Sequence, residues 1–178
     1  MQENIVAEEN QEIKTELGGL DNKYLTFFIG EQLFGIPISN VIQIVGMQEI
    51  TEIPGFPQYA KGIINLRGSI IPVIDVRLRL SKEEKDYDER TCIIVTNILG
   101  KYIGLIVDAV DAVSDISSDK ISAPPQMSNI DKTAVFLTGV AKYQDNIILL
   151  MDTERFLSED DLEEIMTMSG ERGSNEIL

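Results

Sequence analysis

The stretch Lys61-Gly62-Ile63-Ile64-Asn65-Leu66-Arg67-Gly68-Ser69-Ile70-Ile71-Pro72-Val73-Ile74-Asp75 sets one arginine between two runs of strand-forming apolar residues. Gly68-Ser69 has the composition of a two-residue hairpin turn, glycine supplying the positive φ of its first central position. That puts Arg67 at a hairpin tip. Period-two alternation places Ile63, Asn65 and Arg67 on one face and Gly62, Ile64 and Leu66 on the other. An amide and a guanidinium therefore stand together on the polar face. Five fixed donors at the mouth of an apolar surface suit a partner's carboxylates or carbonyls; the plainer reading is a solvated edge residue in a local ion pair. Pro72 cannot donate to a ladder, so its strand is expected at an edge or bulged.

Outward from this hairpin the chain repeats itself. Gly35-Ile36, Val41 and Ile44 match Gly104-Leu105, Val110 and Val113 at a constant offset of 69. Gly62-Ile63 matches Gly139-Val140, and the run Ser69 to Asp75 matches Asn146 to Asp152, both at an offset of 77. The second copy has the longer middle, through Ala123-Pro124-Pro125 to Lys132. Short apolar strands are expected at Tyr24 to Ile29, Leu33 to Ile38, Val41 to Ile44, Ala60 to Arg67 and Ile70 to Val76 in the first half. The second half has them at Cys92 to Leu99, Tyr102 to Val107, Val110 to Ile116, Phe136 to Tyr143 and Ile147 to Thr153. The fold class is thus all-β, with two small five-stranded β-barrels packed together, since closure is how such short strands avoid open edges. Ile103-Gly104-Leu105-Ile106-Val107 is apolar on both faces, so something must cover the outer face as well. The other barrel is the obvious cover.

The formal charge of -15 lies mainly in the tails: residues 1 to 22 hold six acids and one lysine, residues 158 to 178 seven acids and one arginine. The domain organisation follows as an acidic N-terminal tail at 1–22, a domain at 23–157 with halves at 23–80 and 91–157, and an acidic C-terminal helix and tail at 158–178. The link from Leu80 to Arg90 is charged and exposed by composition. Leu162, Ile165, Met166 and Met168 suggest a short amphipathic helix starting at Ser158, with Asp161 in capping-box position. Residues 1 to 20 and 170 to 178 are expected to be dispensable for folding. No basic stripe exists to displace counterions from nucleic acid. No apolar run approaches the length of a bilayer span and the acidic start lacks the form of a signal peptide, so a cytosolic protein is expected, with no membrane insertion.

Catalytic chemistry has little to work with. The chain has no histidine and one cysteine, Cys92, in the apolar run Cys92-Ile93-Ile94-Val95, where a small buried hydrophobe is expected. No thiolate metal site and no phosphate-cradling loop can be built, so no metal and no cofactor is expected. Carboxylates remain, and Asp75 and Asp152 occupy equivalent positions of the two halves, as in a pseudo-twofold aspartic hydrolase. However, Arg77 and Glu154 stand where that catalytic turn wants glycine, and Val76 replaces its hydroxyl residue. The plainer reading is that each aspartate ends a strand and caps the turn after it.

Asn65-Leu66-Arg67-Gly68, then Pro72-Val73-Ile74-Asp75-Val76-Arg77, resembles the central motif of the CheW family, adaptors that couple bacterial chemoreceptors to the histidine kinase CheA. The resemblance takes in Tyr24 to Gly30, Phe34 to Ile38, Val41 to Ile44 and Gly104 to Val110, and ends near Leu157, so it covers most of the chain. One departure is Gln43, where the family often has glutamate. The resemblance implies two packed five-stranded barrels and a non-catalytic coupling adaptor in the chemotaxis array, cytoplasmic and held at the membrane through its partners. One surface would meet a regulatory domain of CheA, itself similar to CheW, and the groove between barrels would take the cytoplasmic helical hairpin tip of a methyl-accepting receptor. Self-association within the array belongs to the same picture. Carried over residue by residue, the receptor positions are Val41, Gly62, Val110 and Val113, with Gly104 nearby and Asn65, Arg67 and Gly68 at the hairpin. A different reading is a generic β-barrel binding scaffold outside chemotaxis.

Overall fold

The computed structural model describes residues 21–124 and 136–171, so the expectations for the outer tails and for most of the longer middle stretch fall outside the described residues. Ten strands lie within two residues of where apolar runs and turns place them: β1 Lys23–Ile29, β2 Gln32–Pro37, β3 Val41–Gly46, β4 Ala60–Leu66, β5 Ser69–Asp75, β6 Cys92–Ile98, β7 Lys101–Val107, β8 Ala109–Asp115, β10 Leu137–Tyr143 and β11 Asn146–Met151. A two-residue β9, Ile121–Ser122, gives no signal in the sequence. Helix α1, Val76–Arg79, follows β5; α2, Thr153–Phe156, follows β11; α3 is Glu159–Met166.

Two sheets form, in the orders β8-β1-β2-β11-β10-β9 and β3-β6-β7-β5-β4. The halves do not close separately, contrary to the sequence reading. The β1–β2 hairpin leaves the first half to join β8, β10 and β11, while β6–β7 crosses to join β3, β4 and β5. Each sheet is joined across halves by a parallel pair, Leu150 beside Gly35 in one and Val73 beside Gly104 in the other. These are the same two positions at offsets of 77 and 69. Even the irregularities repeat, with bulges at Ile42 and Asp111 and again at Lys61 and Thr138. The exchange follows from the two-sided apolarity of the strands, because an exchanged hairpin welds the two cores and leaves no separable interface.

The ladders are open rather than closed barrels. Each sheet curls around its own apolar cluster: Ile64, Ile71, Val73, Ile93, Val95 and Ile106 in the five-stranded sheet, Leu33, Ile116, Ala141, Ile148 and Leu150 in the six-stranded one. The opposite faces meet in one shared core, where Leu25, Phe27, Ile29 and Ile36 pack with Ile74, Ile94, Leu105 and Val107. The five-stranded sheet comes closest to closure through a lone bridge, Thr51 to Ile63, between the loop after β3 and the edge strand β4. Gly35 and Gly104 point into the two separate clusters; a Cβ on Gly104 would lie 2.7 Å from Ile93 and 2.9 Å from Val73. Pro72 is neither at an edge nor bulged. It lies on β5, between β7 and β4, and pairs in register with Ile63 of β4. The two-residue turn makes Leu66–Ser69 a hydrogen-bonded pair, so alternation leaves Ile63–Pro72 a non-bonded one, and the missing N–H faces β7 just before the parallel ladder begins.

Helix α3 begins at Ser158, whose side chain accepts from the Asp161 N–H at 3.1 Å, and it buries Leu162 and Ile165 in the shared core. Beside it the Tyr59 hydroxyl is enclosed without a hydrogen bond of ordinary geometry to a described residue. Burial and then the Asp161 carboxylate push the phenol up to about 12, with Glu164 adding to the rise and Arg79 opposing it. The folded chain keeps a proton that an unfolded one releases near pH 10. Stability from this group is therefore present below about pH 10 and lost as pH rises through the folded value. Tyr59→Phe is expected to flatten the alkaline fall of the thermal midpoint. It will not abolish the fall, because burial and Asp75 also raise the Tyr87 phenol. A midpoint curve for Tyr59→Phe that tracks the wild type up to pH ~11 would remove Tyr59 from this account.

Candidate functional site

The hairpin turn is one residue earlier than its composition suggests. Leu66 pairs with Ser69, and the two turn residues are Arg67 and Gly68, with φ of 53° and 88°. Both positive angles fit the type I′ geometry that matches strand twist. Asn65 Oδ1 accepts from the Gly68 N–H at 2.9 Å, and Asn97 Oδ1 does the same for Gly100 across the next hairpin. Asn-x-x-Gly is thus a turn-forming device used twice, and Asn65 and Gly68 serve to present Arg67. The Arg67 side chain is exposed and makes no hydrogen bond or ion pair with a described residue. The local ion pair of the plainer reading is absent among the described residues.

The other expected positions separate into three places. Val41 and Val110 are half-buried counterparts packed on the shared core. Val113 is 56% exposed on β8, an edge strand. Gly62 and Gly104 are buried. Gly62 has φ 146°, and a Cβ there would sit 2.1 Å from the Thr51 carbonyl oxygen, so glycine is required by backbone approach. No described contact joins the Arg67 side chain to Val41, Val110 or Val113.

The sequence reading missed Ile44, 45% exposed on β3, an edge strand of the five-stranded sheet and the counterpart of β8. The signal was present in the offset of 69, which maps Val113 onto Ile44. Ile42 stands exposed beside it. The edges β3 and β8 therefore carry matching apolar side chains on either side of the sheet junction. At that junction burial pushes the Cys92 thiol up, against the lowering effect of the Val110 backbone. Ile70 and Ile147, each 54% exposed, are a second matched pair at the starts of β5 and β11.

The two aspartates cap helices. Asp75 is 2% exposed; its Oδ1 accepts from the Leu78 N–H at 3.4 Å and its Oδ2 from the Tyr87 hydroxyl at 2.8 Å. Asp152 Oδ1 accepts from the Glu154 N–H at 2.9 Å. With both oxygens of Asp75 engaged and shielded, the hydrolase reading has no accessible carboxylate pair. The exposed link between halves is tied down: Glu84 to Lys61, and Tyr87 to Asp75. Arg77 pairs with Asp108 through Nε at 2.8 Å and Nη2 at 2.6 Å, and Asp108 also accepts from the Gly30 N–H at 2.6 Å. No group of acids or cysteine able to hold a metal ion occurs among the described residues.

Two exchanged sheets offering matched apolar edges, an arginine without a partner among the described residues on a tight turn and strand-end aspartates used as caps define a binding scaffold of the β class. The CheW-like domain model matches residues 23–161. The chain belongs to that family, a family of non-catalytic chemotaxis scaffolds. It is 32% identical to the chemotaxis protein CheW of Klebsiella aerogenes over 79% of this chain and 84% of the relative. It is 34% identical to the probable chemotaxis protein CheW of Rhizobium etli over 80% and 92%. The solved scaffolding protein TtCheW of Thermoanaerobacter tengcongensis superposes with a TM-score of 0.72 at 37% identity, covering 79% of this chain and 94% of that one. The matched segment ends in the first turn of α3, the helix that buries Leu162 and Ile165 in the common core.

Proposed function

We propose that this chain couples methyl-accepting chemoreceptors to the histidine kinase CheA, as a cytoplasmic adaptor at the membrane-associated receptor array. The observation that carries the reading is the equivalence of Ile44 and Val113, exposed at matched positions of the two edge strands. A helical hairpin tip laid across these edges and over Val41 and Val110 covers apolar surface from both sheets, while Arg67 supplies fixed donors to its carbonyls or carboxylates. Asn65 and Gly68 contribute by shaping the turn. We place the kinase regulatory domain on the flank of the six-stranded sheet at Ile147, the sheet that does not carry the Arg67 hairpin. The described residues contain no helix long and apolar enough to cross a membrane, in keeping with attachment through partners. A scaffold outside chemotaxis would fail to co-purify with a receptor signalling fragment.

Titration against a receptor signalling fragment and against the kinase regulatory domain tests the assignment. Arg67→Ala is expected to cost about 1.5–3 kcal/mol of receptor association, the range for hydrogen bonds to a charged group. Arg67→Lys should recover part of it, since an ammonium cannot reproduce a planar fork. Kinase affinity should be unchanged by either. Equal losses toward both partners would make Arg67 a determinant of the fold, and intact receptor binding would leave it a solvated residue.

The edge pair gives an independent check. Ile44→Asp and Val113→Asp each place a charge where partner apolar groups must exclude water, and edge strands tolerate charge in the free protein. Receptor affinity should fall at least ~10-fold for each, with the thermal midpoint moving by no more than a few degrees. If both variants bind as the wild type does, the receptor lies elsewhere.

A further inference from the structure

Tyr59 and Phe136 are counterparts at the offset of 77, and so are Arg79 and Phe156. The equivalence is structural as well: Asp75 N–H donates to the Tyr59 carbonyl at 2.8 Å, and Asp152 N–H to the Phe136 carbonyl at 2.9 Å. These four residues meet. The Arg79 guanidinium carbon lies 4.5 Å from the Phe136 ring centre, 5.1 Å from that of Tyr59 and 5.8 Å from that of Phe156. Its Nε donates to the Phe156 carbonyl at 2.9 Å. Two pairs of counterparts in mutual contact must straddle the local twofold relation between the halves. Where symmetry would set a second phenylalanine, the chain places a cation.

We propose that the Arg79 guanidinium, caged by Tyr59, Phe136 and Phe156, is a positioning residue that fixes how the two sheets face each other and thereby sets the spacing of the receptor-binding edges. The inference rests on the receptor-docking reading above. Apolar contacts in the shared core are non-directional and set the facing of the sheets through shape alone. A guanidinium held by three ring faces and one hydrogen bond adds a directional constraint. The cage joins the end of β5 through α1 to the end of β11 through α2, so it ties one sheet to the other. A second cross-link supports the same junction, the Asn40 side chain donating to Thr153 Oγ1 at 3.1 Å. Tyr59 packs on the core cluster that holds Leu162 and Ile165 of α3, which brings the C-terminal helix into the same junction.

The test uses the full chain with spin labels on Ile44→Cys and Val113→Cys in a Cys92→Ala background, and unlabelled protein for binding. Arg79→Met keeps a long apolar stem and removes the donors and the charge. It is expected to shift or broaden the distance distribution between the labels and to weaken the receptor fragment about tenfold, with kinase regulatory domain affinity retained. Arg79→Lys keeps a cation over the rings and should fall between the two; it also decides the matter if Arg79→Met fails to fold. A distribution identical to the wild type in the folded variant overturns the proposal, whatever the binding shows. So does equal weakening toward receptor and kinase, the mark of a residue that only stabilises. If wild-type protein fails to bind the receptor fragment, the docking reading falls, and the distances still judge Arg79.

Discussion

Gly62→Ala is expected to cost about 2–5 kcal/mol of folding stability, combining strain at a φ that side chains rarely adopt with a clash that backbone must relieve. The added Cβ would meet the Thr51 carbonyl oxygen at 2.1 Å and its carbon at 2.7 Å, within the one bridge that brings the loop after β3 to β4. Thr51 cannot retreat without breaking its two hydrogen bonds to Ile63, each 2.9 Å. The other glycines set the scale. Gly68, with φ 88° and open space around it, should cost only about 1 kcal/mol on the same change. Gly139, the counterpart of Gly62, would meet the Ile121 side chain at 2.6 Å, a neighbour that can turn aside. Urea unfolding followed by circular dichroism ranks the three. A Gly62→Ala midpoint equal to the wild type, with receptor binding lost, would return Gly62 to the docking surface.

Asp108→Ala should cost about 2–4 kcal/mol. Loss of one partner from a buried pair typically costs 3–5 kcal/mol, and the figure is reduced here because water reaches both side chains, 17% and 15% exposed. The change strands the Arg77 guanidinium and removes the acceptor of the Gly30 N–H. The same carboxylate gives stability an acid limit. Burial alone would raise its pKa, but the Arg77 hydrogen bonds, the Gly30 N–H and the Arg77 and Lys85 charges together hold it below the usual range. A folded pKa below the unfolded one means that the contribution is present above about pH 4 and lost as pH falls through the folded value. The gap between wild type and Asp108→Asn should therefore narrow from pH ~7 to pH ~3. A constant gap would mean that the carboxylate charge is not what Arg77 and Gly30 hold.

The two parts of the candidate site were legible to different degrees. Arg67 could be found because a charge between two apolar runs has nowhere to go but a turn, although its position within the turn depended on Leu66 pairing with Ser69. Val113 is exposed and Gly104 buried, yet alternation assigns an outside to neither, Gly104 lying in a run apolar on both faces and Val113 between Ala112 and Ser114 in a strand with no period-two pattern. Burial there depends on which strands sit at sheet edges. The same holds for Pro72, central in a sheet because its missing donor falls where no ladder bond was due.

By itself the sequence determined the local and the repeated: ten strands to within two residues, the capped start of α3, the equivalence of the halves and the membership in a scaffold family. Those features come from side-chain period, turn chemistry and spacing, which are properties of neighbours along the chain. Only the tertiary structure decided that the halves exchange hairpins, that Gly62 and Gly104 are packing glycines, that Ile44 joins Val113 at the edges, and that Arg79 meets Phe156. Arg79 and Phe156 stand 77 positions apart and Thr26 and its β8 partner Ala112 86, while Gly62 is fixed by Thr51 and Gly104 by Ile93 and Val73, approaches that no local periodicity reveals. Two halves built on the same pattern leave the pairing of strands open, since a hairpin fits the ladder of either half, and burial in a common core selects the exchanged form.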